Sequence, residues 1–208
     1  ETQANLRWEG VSASEKFHLI PQSSLKFEKE RHQSLDIKYY EFKDRVAPIN
    51  IGTIKGGEWH STVPESVVVE GRLGVFPGES AQDARDAFET HLQTISKTDD
   101  WLKENLPIVE WFEGQFESGK TDINHPLIQS LSDCYHQTTG DAPIIEGVTY
   151  GSDLRLFTNH AHIPAVLFGP GDVRLAHAAN EYVEIDEVIT TVKIIANMIV
   201  AWCGSSHE

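Results

Sequence analysis

Along the first half of the chain, apolar positions change from helical spacing to alternation and back. Ser12 and Glu15 form a capping-box pattern, in which Ser12 accepts from the backbone and Glu15 reaches back to it. A helix should follow, carrying Phe17, Ile20, Leu25 and Phe27, with a kink at Pro21, which lacks a backbone donor. From Leu35 the pattern reads as extended. Ile49, Ile51 and Thr53 alternate with Asn50 and Gly52 as in a strand, which Gly56-Gly57 breaks. Val67 to Phe76 predicts a second strand, with Val67, Val69, Leu73 and Val75 on one face and Glu70 and Arg72 on the other. Pro77-Gly78 ends it, and Ser80 caps a helix carrying Ala81, Ala84, Phe88, Leu92 and Ile95. Pro107 to Phe112 is a further strand candidate. This order predicts an α+β layer, an antiparallel sheet with two helices on one face.

The polar, turn-rich stretch from Glu117 to Asp122 marks a boundary. Beyond it, Pro126 suits the first position of a helix running to Gly140 with Leu127, Leu131, Cys134 and Tyr135 on its apolar face. Ile144-Ile145 should begin a short strand, Asp153 to Asn159 a short helix, and Ala165 to Phe168 a buried strand stopped by Gly169-Pro170-Gly171. Asp186 should cap a last helix with Val188, Val192, Ile195, Ile199 and Trp202 on one face. Helix and strand alternate here, so this half reads as α/β.

Composition narrows the function classes. The 208 residues are 39% apolar and 24% charged, the make-up of a globular protein. A formal net charge of −15 disfavours nucleic acid and anionic membrane surfaces, which are gripped by Lys and Arg. No apolar run approaches the ~20 residues that span a bilayer. No signal peptide opens the chain, and its first residue is Glu1, which suits a piece cut from something longer. Cys134 and Cys203 both fall in apolar helical patterns and read as small buried hydrophobes. Such sparse cysteine points to a reducing, cytoplasmic setting.

Three segments are candidates for chemistry. Gly56 to Pro64 is a loop of small and polar groups joining two strands; on composition alone a long hairpin loop explains it. Gly151-Ser152-Asp153-Leu154-Arg155 combines a glycine with a helix start whose free N–H groups favour anions; a plain capped helix start is the alternative. In the third, a Gly-Pro-Gly turn leads into Ala176-His177-Ala178-Ala179-Asn180-Glu181-Tyr182. A strand ending in such a turn delivers the next residues to the sheet's carboxyl edge, where open α/β sheets bind ligands. The neutral imidazole of His177 suits zinc, and the nearby Glu181 carboxylate could orient it. His160 and His162 read as a surface turn. No Gly-x-Ser-x-Gly, Cys-x-x-Cys or His-Glu-x-x-His is present, so neither a serine-hydrolase elbow nor a complete zinc motif is visible.

Taken in order, Gly10-Val11-Ser12-Ala13, Gly52-Thr53-Ile54-Lys55-Gly56-Gly57, Ser61-Thr62-Val63-Pro64, Arg72, Pro77-Gly78-Glu79, Ser152-Asp153, Gly169-Pro170-Gly171 and His177 with Asn180-Glu181 resemble a known family. It is the dinuclear zinc metallopeptidase family of acetylornithine deacetylase, succinyl-diaminopimelate desuccinylase, aminoacylase and carboxypeptidase G. The resemblance implies that residues 1–115 form a lid or dimerisation domain lacking its first strand, and that residues 116–208 form the C-terminal part of the α/β catalytic domain. It implies metal-assisted hydrolysis of the amide bond of an N-acyl amino acid or small peptide, with two zinc ions, cobalt being possible, and a homodimer built through the lid. By position, His177 would be a metal ligand with Glu181 supporting it, while Ser61, Arg72, Gly151, Ser152 and Arg155 would bind substrate. Many relatives carry Asn at the place of Ser61, which departs from the pattern at the substrate carboxylate. The family's other metal ligands and its general base match nothing in this chain, so no catalytic residue is assigned and the chain alone should be inactive. The competing expectation is a non-catalytic dimerisation or binding module derived from the same family.

Overall fold

A computed structural model describes residues 4–33, 38–113 and 115–204. The expected extended start at Leu35 lies outside the described residues. The chain divides into two compact units, Glu1–Ser118 with Glu146–Gly151, and Gly119–Ile145 with Ser152–Glu208.

The first unit opens with a 3₁₀ turn, Ala4–Glu9, then α1 (Ala13–Phe17) and α2 (Leu19–Gln33). The Ser12 hydroxyl accepts from the Glu15 backbone N–H at 3.4 Å, but the Glu15 carboxylate turns to Arg7, so only half of the expected capping box forms. The helix breaks at His18. Pro21 lies four residues after Phe17 and cannot donate to its carbonyl, which fits a break there. On α2 the buried residues are Ser23, Ser24, Phe27, Arg31 and His32, while Leu25 is 64% exposed.

β1 (Ile49–Gly56) and β2 (Val67–Leu73) pair antiparallel and are the only ladder among the described residues. β2 stops at Leu73, short of the expected Phe76, although Gly74 N–H still donates to the Pro48 carbonyl at 2.9 Å. A Cβ at Gly74 would meet the Ala47 backbone at 2.5 Å, so this close approach requires glycine. Beneath it, Val46, Ala47 and Phe76 form a small core against Tyr40, whose hydroxyl burial pushes its pKa up.

The register contains one irregularity. Ile51 pairs with Gly71 and Thr53 with Glu70, leaving Gly52 as the extra residue of a β-bulge. Past the bulge the faces exchange. Ile54, opposite Val69, rejoins the side of Ile49 and Ile51, and Thr53 moves to the side of Glu70 and Arg72. The expectation that Thr53 shares a face with Ile51 is thereby corrected.

α2 packs against β1 and against α3 (Ala81–Ser96), and α1 against β2. The Ser80 hydroxyl caps α3 by accepting from the Asp83 N–H at 3.0 Å. Ala84 and Leu92 are buried on its inner face as the spacing predicts. Lys16 on α1 reaches Asp99 beyond α3 at 2.7 Å and holds that carboxyl down at about 2. Pro107 to Phe112 is not a strand. Its burial alternates, Val109 and Trp111 half-buried, Ile108 and Phe112 exposed, and Trp111 Nε1 donates to Glu89 at 2.6 Å. The side chains thus follow a strand's period while the backbone joins no ladder among the described residues.

In the second unit, α4 (Pro126–Thr139) packs on α5 (Ile185–Cys203). His125 caps α4 through Nδ1, Pro126 occupies its first turn, and Gly140, at φ +84°, closes it. Neither Ile144-Ile145 nor Ala165–Phe168 enters a ladder among the described residues. Thr121 does part of that work: its hydroxyl donates to the Ala165 carbonyl at 2.5 Å and accepts from the Ala165 N–H at 3.0 Å. The expected helix over Asp153–Asn159 is a short turn ending in π geometry at Leu156–His160. Glu184, not Asp186, holds the N-cap position of α5, with Asp186 and Glu187 in the first turn, where negative charge suits the helix dipole. The apolar face read from the sequence is exposed, Val192 at 60% and Ile199 at 57%, and Ile194 is the buried residue. α5 also carries a polar stripe, Thr190, Lys193 and Asn197, and Asn197 donates to Thr138 on α4 at 3.3 Å, so α4 meets a side of α5 other than the apolar stripe. Cys134 is buried as expected, but Cys203 is exposed, because it lies at the end of the uncovered helix. No described helix is long and apolar enough to cross a membrane.

Candidate functional site

Ser61, Arg72 and Gly151 belong to the first unit; Ser152, Arg155, His177 and Glu181 belong to the second. Ser61 lies in the loop between β1 and β2, folded by a turn in which Thr62 N–H and its hydroxyl both donate to the Trp59 carbonyl. The Ser61 carbonyl accepts from Ala4 at 2.9 Å, which ties this loop to the first turn of the chain. Its half-buried side chain makes no hydrogen bond among the described residues.

Arg72 sits on the sheet face carrying Asn50, Thr53, Lys55 and Glu70. It is exposed and makes neither an ion pair nor a side-chain hydrogen bond among the described residues. Its neighbour two positions back is occupied: the Thr53 hydroxyl donates to Glu70 at 2.7 Å. A free guanidinium on an open face is the fork that recognises carboxylates. The Thr53–Glu70 pair was not among the sequence candidates; an isolated Gly within a strand pattern, the usual mark of a bulge, was the available signal.

Gly151 lies against the Phe116 ring, where a Cβ would approach to 3.2 Å. The Ser152 hydroxyl accepts from Leu154 N–H at 3.3 Å, an ordinary turn-capping bond. Arg155 is half-buried, and its backbone passes so close to Gly119 that a Cβ there would meet Arg155 N at 2.9 Å.

His177 is exposed and follows the 3₁₀ turn Val173–Leu175. Its φ is +62°, as is that of Asn180, a left-handed conformation uncommon for residues with a side chain. Backbone strain of this kind costs about 1–3 kcal/mol and collects at functional sites. The loop is stapled locally. Asp172 accepts from the Arg174 backbone and side chain, and that pairing holds its carboxyl at about 2. Gly171, at φ +93°, donates its N–H to Glu187 on α5 at 2.8 Å. Glu181 accepts from the His177 backbone N–H at 3.0 Å, so its carboxylate fixes the backbone that carries the imidazole, where the sequence suggested that it orients the ring. His160 and His162 are both exposed, in keeping with a surface turn.

Among the described residues no three His, Cys, Asp or Glu side chains gather to hold a metal ion. His177 offers one nitrogen donor where a zinc ion takes four ligands, so these residues do not by themselves make a metal site. A shallow depression of about 100 Å³ is lined by Glu89, Leu92, Gln93, Leu106, Pro107 and Val109, none of them a candidate residue.

Comparison with known proteins supplies the frame for these fragments of a site. Residues 38–201 match the model of peptidase family M20/M25/M40. The chain is 30% identical over 192 residues to N-formyl-4-amino-5-aminomethyl-2-methylpyrimidine deformylase of Bacillus subtilis, covering 87% of this chain and 44% of that protein. It is 26% identical to acetylornithine deacetylase of Myxococcus xanthus, covering 78% of this chain and 40% of the relative. In structure it is similar to an M20 family metallo-carboxypeptidase from Sulfolobus solfataricus, with a TM-score of 0.54 and 16% identity over 85% of this chain and 44% of that one. The chain thus spans less than half the length of these relatives.

Proposed function

Because this chain belongs to peptidase family M20/M25/M40, whose members related to it include a deformylase and a deacetylase, we propose that it forms part of a longer zinc-dependent amidohydrolase. The enzyme hydrolyses the amide bond of an N-acyl amino acid or small peptide. The single observation that carries the carboxylate-bearing substrate is Arg72, a guanidinium left free on an open sheet face.

The roles are those that the resemblance to the family assigns by position. Arg72 binds the substrate carboxylate as a fork, and the Ser61 hydroxyl, without a partner of its own among the described residues, contributes beside it. Gly151, Ser152 and Arg155 line the substrate's side. His177 would supply one nitrogen donor to zinc, from a backbone set by its left-handed φ and by Glu181. The remaining ligands and the general base belong to the rest of the longer protein, and residues 1–115 form a lid through which two copies associate. The uncovered face of α5 supports the longer chain, since Val192, Ile199 and Trp202 stand exposed where an enzyme interior would cover them.

A second reading is favoured by the 30% match: removal of a formyl group from an aminopyrimidine, as in the Bacillus relative's name. The experiment assays the longer protein, with zinc, against N-acetyl amino acids and against the N-formyl aminopyrimidine. Preferential turnover of carboxylate-bearing substrates is the expected result. Turnover of the formyl compound alone establishes the second reading. No amide hydrolysis on either leaves a non-catalytic module and sinks both.

A further inference from the structure

We infer that Thr53, turned outward by the Gly52 bulge, is a positioning residue that holds Glu70 away from Arg72 and so keeps that guanidinium free for a carboxylate. This rests on the reading of Arg72 given above.

Glu70 and Arg72 are two positions apart on β2, so their side chains project from the same face. Side chains of this length at that separation reach each other, and opposite charges on an open surface attract. Left alone, Glu70 is the nearest competitor for the site where a substrate carboxylate would dock. In the structure it does not take it. Its Oε2 accepts from the Thr53 hydroxyl across the ladder at 2.7 Å, and Arg72 stays without an ion pair among the described residues.

The bulge makes this possible. In an unbroken strand, Ile49, Ile51 and Thr53 would share one face, and Thr53 would point to the side with Val69 and Leu73. With Gly52 as an extra residue, Thr53 stands opposite Glu70 and Ile54 stands opposite Val69. One inserted glycine therefore does two things: it returns Ile54 to the apolar side and brings a hydroxyl donor to Glu70.

The test uses the longer enzyme with an N-acetyl amino acid that it turns over, and with the amide of that substrate, which lacks the carboxylate. Thr53→Val keeps the β-branched shape and removes the donor. KM for the carboxylate substrate should rise about fivefold, the factor by which a surface ion pair near 1 kcal/mol handicaps a competitor, with kcat little changed. The amide substrate should show no such rise. Thr53→Ser should restore KM, and so should Thr53→Val combined with Glu70→Gln, which removes the competing charge. A fivefold rise on both substrates, or no rescue by Glu70→Gln, overturns the inference. Arg72→Ala separates the two levels of the argument. If it leaves KM for the carboxylate substrate unchanged, the reading of Arg72 itself is wrong. If it raises KM while Thr53→Val does not, Arg72 stands and only the role of Thr53 falls.

Discussion

Arg31 shows how much one side chain contributes to the first unit. Its Nη2 meets Glu79 at 2.6 Å, its Nη1 donates to the Gly74 carbonyl at 3.1 Å, and its guanidinium lies 4.7 Å from the Phe76 ring centre. Glu79 in turn accepts from the Phe76 N–H at 2.9 Å. The pair is largely buried, so removing one partner leaves an uncompensated charge. Arg31→Ala should cost about 3 kcal/mol, read as a lowered urea midpoint; a loss below about 1 kcal/mol would place the pair among surface bridges of little consequence. Gly74→Ala should also destabilise, by about 1–3 kcal/mol, because the added methyl meets the Ala47 backbone, which has no rotamer with which to yield. An unchanged thermal midpoint would show that the strand end relaxes freely.

At the scale of elements, α2 and α3 meet through Phe27, which stacks on His91 at 4.6 Å and packs near Phe88. Burial lowers the His91 pKa below its ordinary 6.5, against smaller raising effects from the Ser23 carbonyl and Glu30. The folded state thus binds fewer protons here than the unfolded one. Its contribution to stability is fully present above 6.5 and is lost as pH falls through 6.5 toward the lower folded value. His91→Phe should flatten the fall in urea midpoint between about pH 7 and pH 5. An acid slope unchanged from wild type would remove His91 from the account.

Legibility followed local chemistry. Capped helices were plain in the sequence: Ser80 before α3, and Pro126 with Gly140 around α4, fix their ends by bonds made within a few residues. Strand assignments failed where pairing depends on a distant partner. Ala165–Phe168 and Pro107–Phe112 have the right apolar content, but among the described residues no neighbouring strand completes them. The helical stripe of α5 was readable, but not which side α4 would cover. For the site, the order of motifs pointed to the family, and the family model bears this out. Thr53 was misplaced because simple alternation misses a bulge.

At the scale of the molecule, the second unit carries apolar surface with nothing over it among the described residues, from Ile185 at 75% exposed to Trp202 at 48%. In the chain of 208 residues, the amides of Val166, Leu167 and Phe168 should therefore exchange with solvent faster than those of the β1–β2 ladder. In the longer protein they should be protected. Equal protection in the short chain would show that this unit stands alone. The central claim, that His177 serves zinc in an amidohydrolase, is tested most directly by metal content and kinetics of His177→Ala in the longer enzyme, with His160→Ala and His162→Ala as controls. His177 is exposed on a turn, so its loss should leave the thermal midpoint nearly unchanged. The account predicts that His177→Ala alone weakens one zinc site and lowers kcat by at least about a hundredfold, more than the loss of a residue that only supports a ligand costs. Full zinc content with activity near wild type would contradict it.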